Sequence, residues 1–144
     1  MTQKEKNLLL IRDLSARLAD GVICQVDDGA AGLNYGKLVE IDIQKELLRF
    51  ESDGYWDAYI EDVKPYLRPL SSMTKEEEKE YNSFIIGQQP FDSDFSAYPI
   101  EYKLLYEFDI KNYIDWLNKK MFDYRGLIPM GLAIKAPEGM YNIK

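Results

Sequence analysis

The chain has 144 residues, of which 46% are hydrophobic and 30% charged, and its formal net charge is −7. These values are typical of a globular domain and exclude a disordered or fibrous chain. Histidine is absent and Cys24 is the one cysteine, which excludes histidine-based triads, an internal disulfide and zinc sites built from several cysteines. The length predicts a single domain over residues 1–144.

An amphipathic helix is predicted for residues 3–19. Apolar residues recur there at helical spacing, and Leu10 widens the expected buried stripe of Leu8, Ile11, Leu14 and Leu18. Charged residues supply the expected polar face: Lys4, Glu5, Arg12, Asp13 and Arg17. Gly21 is expected to end the helix, because glycine adopts the left-handed conformation of a helix C-terminus without strain.

Residues 22–60 predict a β-meander. The first strand is expected around Ile23, and residues 27–34 are rich in the aspartate and glycine of turns. Residues 37–43 alternate between apolar and polar side chains, which is typical of a half-buried strand. The core residues expected from this alternation are Val39, Ile41 and Ile43.

Two more strands of the meander are predicted at 47–51 and 55–60, on either side of a turn at 52–54. Short strands joined by tight turns form a small antiparallel sheet, and a strong bend would curl that sheet into an SH3-like barrel. With an N-terminal helix and C-terminal helices beside it, the predicted fold class is α+β.

The part of the chain after the meander is predicted to be helical over 74–121, with an irregular tail over 122–144. Thr74 and Glu77 match a capping box, in which each side chain bonds the backbone of the other. This motif predicts the start of a helix that ends near Ile86, before a glycine.

Two other segments complete the prediction. Pro65 and Pro69 exclude a continuous helix over 63–70. Asp109 is the expected N-cap of a helix over 110–121, because an aspartate side chain accepts a bond from a free N–H of the first turn.

Two stretches of sequence carry a resemblance. They are Asp62-Val63-Lys64-Pro65-Tyr66-Leu67-Arg68-Pro69-Leu70-Ser71-Ser72-Met73-Thr74, and Asp115-Trp116-Leu117-Asn118 with Phe122-Asp123-Tyr124-Arg125-Gly126-Leu127-Ile128 and Gly131-Leu132-Ala133. The chain from about residue 22 onward resembles a group of uncharacterised small proteins of gut bacteria, often associated with phage or other mobile elements. The resemblance implies no activity and no catalytic residue.

A candidate interaction face is formed by Tyr55, Trp56 and Tyr59 on one predicted strand. Tyrosine and tryptophan are enriched at protein interfaces. The alternative is that they are ordinary core and surface aromatics. Stacking of bases on them requires a basic stripe beside them, and the basic residues are scattered along the chain.

A candidate anion clamp is formed by Asp123 and Arg125, which lie close together after a predicted helix. The guanidinium of Arg125 can hold a carboxylate or phosphate with two parallel bonds. In the alternative interpretation, Arg125 joins the tail to a helix by an ion pair and by bonds to backbone carbonyls.

Carboxylate pairs are candidate metal ligands, and Cys24 is a candidate nucleophile. The pairs are Asp27-Asp28, Glu61-Asp62 and Asp92/Asp94, and they lack the pattern of a calcium loop. Solvated surface explains them best, so no metal site and no cofactor are predicted. Cys24 is expected to be a small buried hydrophobe on the face of Val22 and Val26.

The predicted function is a non-catalytic protein-interaction module of mobile-element origin. One alternative is a metal-dependent hydrolase that uses Asp and Glu. The other is a nucleic-acid-binding small barrel, which requires one face to collect Lys37, Lys45, Arg49, Lys64 and Arg68. Another protein is the expected partner and self-association stays open. Cytoplasmic location is expected, because the chain has no signal segment and no run of ~18 apolar residues for a membrane span.

Overall fold

The computed structural model describes residues 1–82 and 110–141. Its helices are α1 (Gln3–Arg17), α2 (Lys75–Asn82) and α3 (Ile110–Lys119). Its strands are β1 (Ile23–Asp27), β2 (Leu33–Asp42), β3 (Leu47–Glu51), β4 (Tyr55–Tyr59), β5 (Val63–Leu67) and β6 (Ile134–Lys135). The predicted α+β class is confirmed.

The chain divides into two compact units. One unit comprises Met1–Leu70 and Asn118–Lys144, and the other comprises Ser71–Leu117. The prediction of a single domain over 1–144 stays a prediction.

The first unit contains one open six-stranded sheet in the order β4-β3-β2-β1-β5-β6. Neighbouring strands are antiparallel except β5 and β6, which are parallel. The predicted meander and its turn at 52–54 are confirmed. The described strands do not close into a barrel, because β4 and β6 lie at opposite edges of the sheet.

Helix α1 begins with a capping box between Thr2 and Glu5. After α1 a single 3-10 turn follows, and Gly21 at φ 77° stops it as predicted. The buried residues of α1 differ from the predicted stripe: Asn7, Leu10, Ile11, Asp13, Leu14 and Arg17. Leu8 is half exposed.

The assignment of Asp13 and Arg17 to the polar face of α1 is therefore wrong, because both are fully buried. They are four residues apart on the helix, and their side chains form an ion pair of 3.0 Å. Pairing removes much of the cost of taking each charge out of water.

A β-bulge changes the alternation of β2. Its register against β3 shifts between Leu38 and Glu40, so Val39 is the extra residue. Leu38 before the bulge is fully buried, Ile41 after it is partly buried, and Ile43 is 63% exposed. The prediction of Val39, Ile41 and Ile43 as one core face is wrong for Val39, the extra residue of the bulge, and for Ile43, which lies beyond the end of β2, whereas Ile41 packs against the core.

Strand β5 was missed, because proline is depleted in strands and Pro65 lies at its centre. The predicted helix over 110–121 ends two residues early, at Lys119, since Met121 adopts a left-handed φ of 62°. The predictions that concern Asp109 and Ile86 lie outside the described residues.

The core of the first unit lies between α1 and the inner face of the sheet. Its fully buried members include Leu14, Val22, Cys24, Val26, Leu38, Leu48, Phe50, Ile60, Leu67 and Leu127. The prediction for Cys24 is confirmed, and burial raises the pKa of its thiol well above its ordinary value. It therefore lacks the thiolate that a nucleophile needs.

In the second unit, α2 begins at the predicted capping box. Glu77 donates its backbone N–H to Thr74 Oγ1 at 3.1 Å, and Glu77 Oε1 accepts from the N–H of Thr74 at 3.0 Å. Trp116 on α3 donates its indole N–H to Glu80 on α2 at 2.9 Å, and the rings of Tyr81 and Tyr113 meet edge to face.

Candidate functional site

The predicted interaction face lies on β4, the second strand of the β3–β4 hairpin. Five successive residue pairs join the two strands without a bulge, from Glu51 opposite Tyr55 to Leu47 opposite Tyr59. The connecting turn is tight, with Ser52 donating its N–H to Gly54 O at 3.0 Å. The strand is therefore held along its whole length in one register.

The alternation of β4 separates the three predicted residues. Tyr55 and Tyr59 point outward and are 69% and 61% exposed. Trp56 points to the opposite side, is half-buried, and stacks on Phe50 with ring centroids 5.0 Å apart. Tyr55 and Tyr59 are thus available to a partner, whereas Trp56 belongs to the packing beneath them.

Gly36 on β2 makes room for the Trp56 ring. A Cβ at position 36 would lie 3.2 Å from Trp56 Cζ2 and 3.3 Å from Phe50 Cβ, closer than ordinary van der Waals contact. The absence of a side chain here lets the ring lie flat against the sheet. This packing fixes the middle of β4 from its inner side.

Charged side chains fill the outer face between the two tyrosines. Arg49 on β3 donates from Nε to Asp57 Oδ1 at 3.0 Å and lies 3.6 Å from Glu40 Oε2. The bond to Asp57 is the main cause that raises the pKa of the Arg49 guanidinium. The two ion pairs orient the guanidinium before any partner arrives.

Exposed carboxylates alternate with the tyrosines along the chain. Every second residue from 53 to 61 is exposed, in the order Asp53, Tyr55, Asp57, Tyr59 and Glu61. We call these five residues the acid–tyrosine row. Sequence reasoning selected only the aromatics, although the spacing of the acids by four residues was visible in the sequence.

The two residues of the predicted anion clamp have separate partners. Asp123 is buried and accepts the backbone N–H groups of Leu127 and Ile128 at 2.8 and 2.9 Å. Arg125 donates from Nε to Asp13 Oδ1 at 3.2 Å. This ion pair joins the tail to α1, as in the alternative interpretation of Arg125.

Arg125 is partly buried and joins a polar cluster around the fully buried Asp13 and Arg17, which the sequence did not predict. Arg17 forms two bonds to the Asp13 carboxylate and donates to Phe122 O at 2.6 Å. The centre of the Tyr124 ring lies 5.3 Å from the Arg17 guanidinium and 5.0 Å from the Arg125 guanidinium. The available signal was the Asp–Arg pair at i and i+4, beside the apolar stripe of α1.

Asp27, Asp28 and Glu61 of the carboxylate pairs accept hydrogen bonds from other parts of the protein. Asp27 accepts the N–H of Gly29 at 2.9 Å, and Asp28 accepts the side-chain amide of Asn34. Asn7 donates its amide to Glu46 and Glu61 at 3.1 and 3.2 Å. Within residues 1–82 and 110–141, no three His, Cys, Asp or Glu side chains come together in a way that could hold a metal ion. Asp92 and Asp94 lie outside the described residues.

No known protein family, curated protein or solved structure matches this chain. The resemblance to small proteins of gut bacteria therefore stays a prediction. None of the helices that the structure describes has the length and apolar character needed to cross a membrane.

Proposed function

We propose that the protein is a non-catalytic protein-interaction module whose contact surface is the outer face of β4. The observation that carries this proposal is the pair Tyr55 and Tyr59, both more than 60% exposed on a strand of fixed register. Tyrosine offers a large contact area for few rotatable bonds, so ordering it on binding costs little. Such residues supply much of the affinity of protein interfaces.

Arg49 supports the same surface. Its ion pairs with Asp57 and Glu40 hold the guanidinium between the two tyrosines. Arginine is enriched with tyrosine at binding hot spots. A side chain that is ordered beforehand loses less conformational freedom when a partner binds.

We also propose the SH3-like arrangement for strands β1–β5. Strand β2 pairs with β1 through residues 33–37 and with β3 through residues 37–42, and the bulge at Val39 lies where the second pairing begins. A bulge bends a strand and lets it serve two sheets. The return of β5 to pair with β1, after the 3-10 turn Ile60–Asp62, supports the same arrangement.

The setting of this module is proposed from the sequence. The resemblance of residues 62–74 and 115–133 supports an origin in a phage or other mobile element, and a cytoplasmic location fits the single cysteine, Cys24, which is buried and free. These two points stand apart from the surface on β4 and do not depend on it.

The experiment is affinity capture from the lysate of the source organism with the tagged full chain. The test variant is Tyr55→Ser with Tyr59→Ser. The matched control is Leu33→Ser with Tyr35→Ser, which removes two other exposed apolar side chains from β2. We expect a reproducible partner that the test variant loses and the control retains. A partner that the test variant retains, or no partner at all, would contradict the proposal.

A further inference from the structure

We infer that the open edge of β4 binds an extended, basic segment of the partner protein as an added β-strand. This inference rests on the proposed function and names the class of partner. It is carried by the direction of the β4 backbone groups, by the lack of protection at this edge and by the charge of the acid–tyrosine row.

The direction of the backbone groups follows from two hydrogen bonds at the ends of the hairpin. Ile60 donates its N–H to Glu46 O at 3.0 Å, and Ser52 donates to Gly54 O at 3.0 Å. In an antiparallel pair, residues alternate between those bonded to the partner strand and those directed away from it. The backbone groups of Tyr55, Asp57 and Tyr59 are therefore directed away from β3, toward the open edge.

In the part of the chain that the structure describes, strand β4 carries few of the devices that usually protect an edge. Edge strands are commonly blocked by lysine, proline, a bulge or a covering segment. The five residues of β4 include neither lysine nor proline, and the pairing with β3 is free of bulges. In the described part of the chain, β4 pairs with β3 alone. A row of three free N–H and three free C=O groups is thus open to a further strand.

The negative charge along this edge favours an added strand that carries basic residues. Residues directly opposite one another across a ladder share a face of the sheet, so side chains opposite Tyr55, Asp57 and Tyr59 meet the acid–tyrosine row. Asp57 lies on β4 between the two tyrosines. Asp53 and Glu61 are exposed carboxylates just beyond the two ends of the strand, and Glu61 also accepts a bond from Asn7. Lysine or arginine at alternate positions of the added strand would pair with the carboxylates and lie over the tyrosine rings.

A second copy of the chain fits this edge less well. The register with its two-fold axis at residue 57 would place Asp57 directly opposite Asp57 of the other copy, and like charges so placed are destabilising. Two chains of net charge −7 also repel one another. The occupant that the surface fits is therefore a basic segment of a different protein.

The test uses the full chain and labelled, capped peptides of about nine residues, long enough to pass β4 at both ends. The first peptide alternates lysine and valine, and the second alternates glutamate and valine. The third is the lysine peptide with a methyl group on every second backbone nitrogen. It is made in two versions, one methylated at the odd-numbered residues and the other at the even-numbered residues, because alternate amides of a strand face opposite edges. Binding is measured by fluorescence anisotropy.

We expect saturable binding of the lysine peptide, at least about tenfold weaker binding of one N-methylated version, and none of the glutamate peptide. Asp57→Asn is expected to weaken the binding of the lysine peptide several-fold. The matched control Glu138→Gln removes an exposed carboxylate of the tail and is expected to leave the affinity unchanged.

Hydrogen exchange by NMR locates the added strand. On binding, the amides of Tyr55, Asp57 and Tyr59 should become protected, whereas those of Trp56 and Ala58 are already bonded to β3. Protection elsewhere, equal binding of all N-methylated peptides, absence of binding, or formation of a β4–β4 dimer instead would each overturn the inference. If the tyrosine variant still loses its natural partner in such a case, the proposed function stands without strand addition.

Discussion

At the edge of the sheet formed by β5 and β6, residues from distant parts of the chain meet, whereas the β4 edge, among residues 1–82 and 110–141, is formed by a local hairpin. Tyr141 accepts the N–H of Ile23 at 2.9 Å and donates to Tyr66 O at 2.7 Å, so its hydroxyl completes the ladder where β1 and β5 separate. Ala136 donates its N–H to Leu67 O at 2.7 Å. We call this side the tail edge.

The segment between α3 and β6 adds to the tail edge. Arg68 donates its N–H to Met121 O at 2.7 Å, and Asp123 donates to Arg68 O at 2.8 Å. The Arg68 guanidinium lies 4.3 Å from the centre of the Phe122 ring. Phe122 O in turn accepts from the buried Arg17 of α1. Contacts between residues far apart along the chain therefore cover the tail edge, whereas the β4 edge carries exposed side chains.

The largest effect is expected from Asp13→Asn, which tests how strongly the tail edge depends on the buried cluster. The variant leaves the charges of Arg17 and Arg125 without their counter-ion, and breaking a buried ion pair costs about 3–5 kcal/mol. Urea denaturation followed by circular dichroism measures the loss. Asp57→Asn at the β4 edge is the control and should change stability little, because its pair with Arg49 is exposed. Equal effects of the two variants would contradict the comparison.

The next effect concerns Asp123→Ala in the turn after α3. The variant leaves the N–H groups of Leu127 and Ile128 without their acceptor, and we expect a loss of about 2–3 kcal/mol. Asp123→Asn keeps one carbonyl oxygen and should lose less. A stability equal to that of the wild type for the alanine variant would show that the turn does not need this carboxylate.

A smaller effect is expected from Tyr141→Phe, with a loss of about 1–2 kcal/mol from the hydroxyl contacts. Burial raises the pKa of the Tyr141 hydroxyl, so the folded chain keeps it protonated where an unfolded tyrosine, with a pKa of about 10, ionises. The contribution of the protonated Tyr141 hydroxyl to the free energy of unfolding is fully present below about pH 10 and is lost as the pH rises further. When the pH is raised from neutral to strongly alkaline, the urea midpoint of unfolding should therefore fall less for the variant than for the wild type.

The smallest effect on stability is expected at the β4 edge. Tyr55→Ser and Tyr59→Ser remove exposed side chains, and each should change the free energy of unfolding by no more than about 0.5 kcal/mol. The same pair of changes should abolish partner capture. A large destabilisation would show that the tyrosines support the fold and do not form a free surface.

The β4 edge could be predicted from the sequence to a large extent. The turn at 52–54 and the strand after it followed from local residue types, and strand alternation follows from backbone geometry. Sequence alone did not show that Trp56 would face Gly36 and Phe50, because that contact joins β2, β3 and β4. The bulge at Val39 was likewise invisible, since it depends on the register of one strand against another.

The tail edge was decided by tertiary structure. Asp13 and Arg17 read as surface charges in the sequence, because only the fold brings Phe122 and Arg125 to them. Strand β5 was hidden by Pro65, and β6 was hidden in a tail rich in glycine and proline. By itself the sequence determined the α+β class, the meander, the start of α2 at its capping box and the burial of Cys24, all of which depend on neighbouring residues and periodicity. Only the tertiary structure decided which edge of the sheet is covered by the C-terminal tail, because those contacts join residues far apart along the chain.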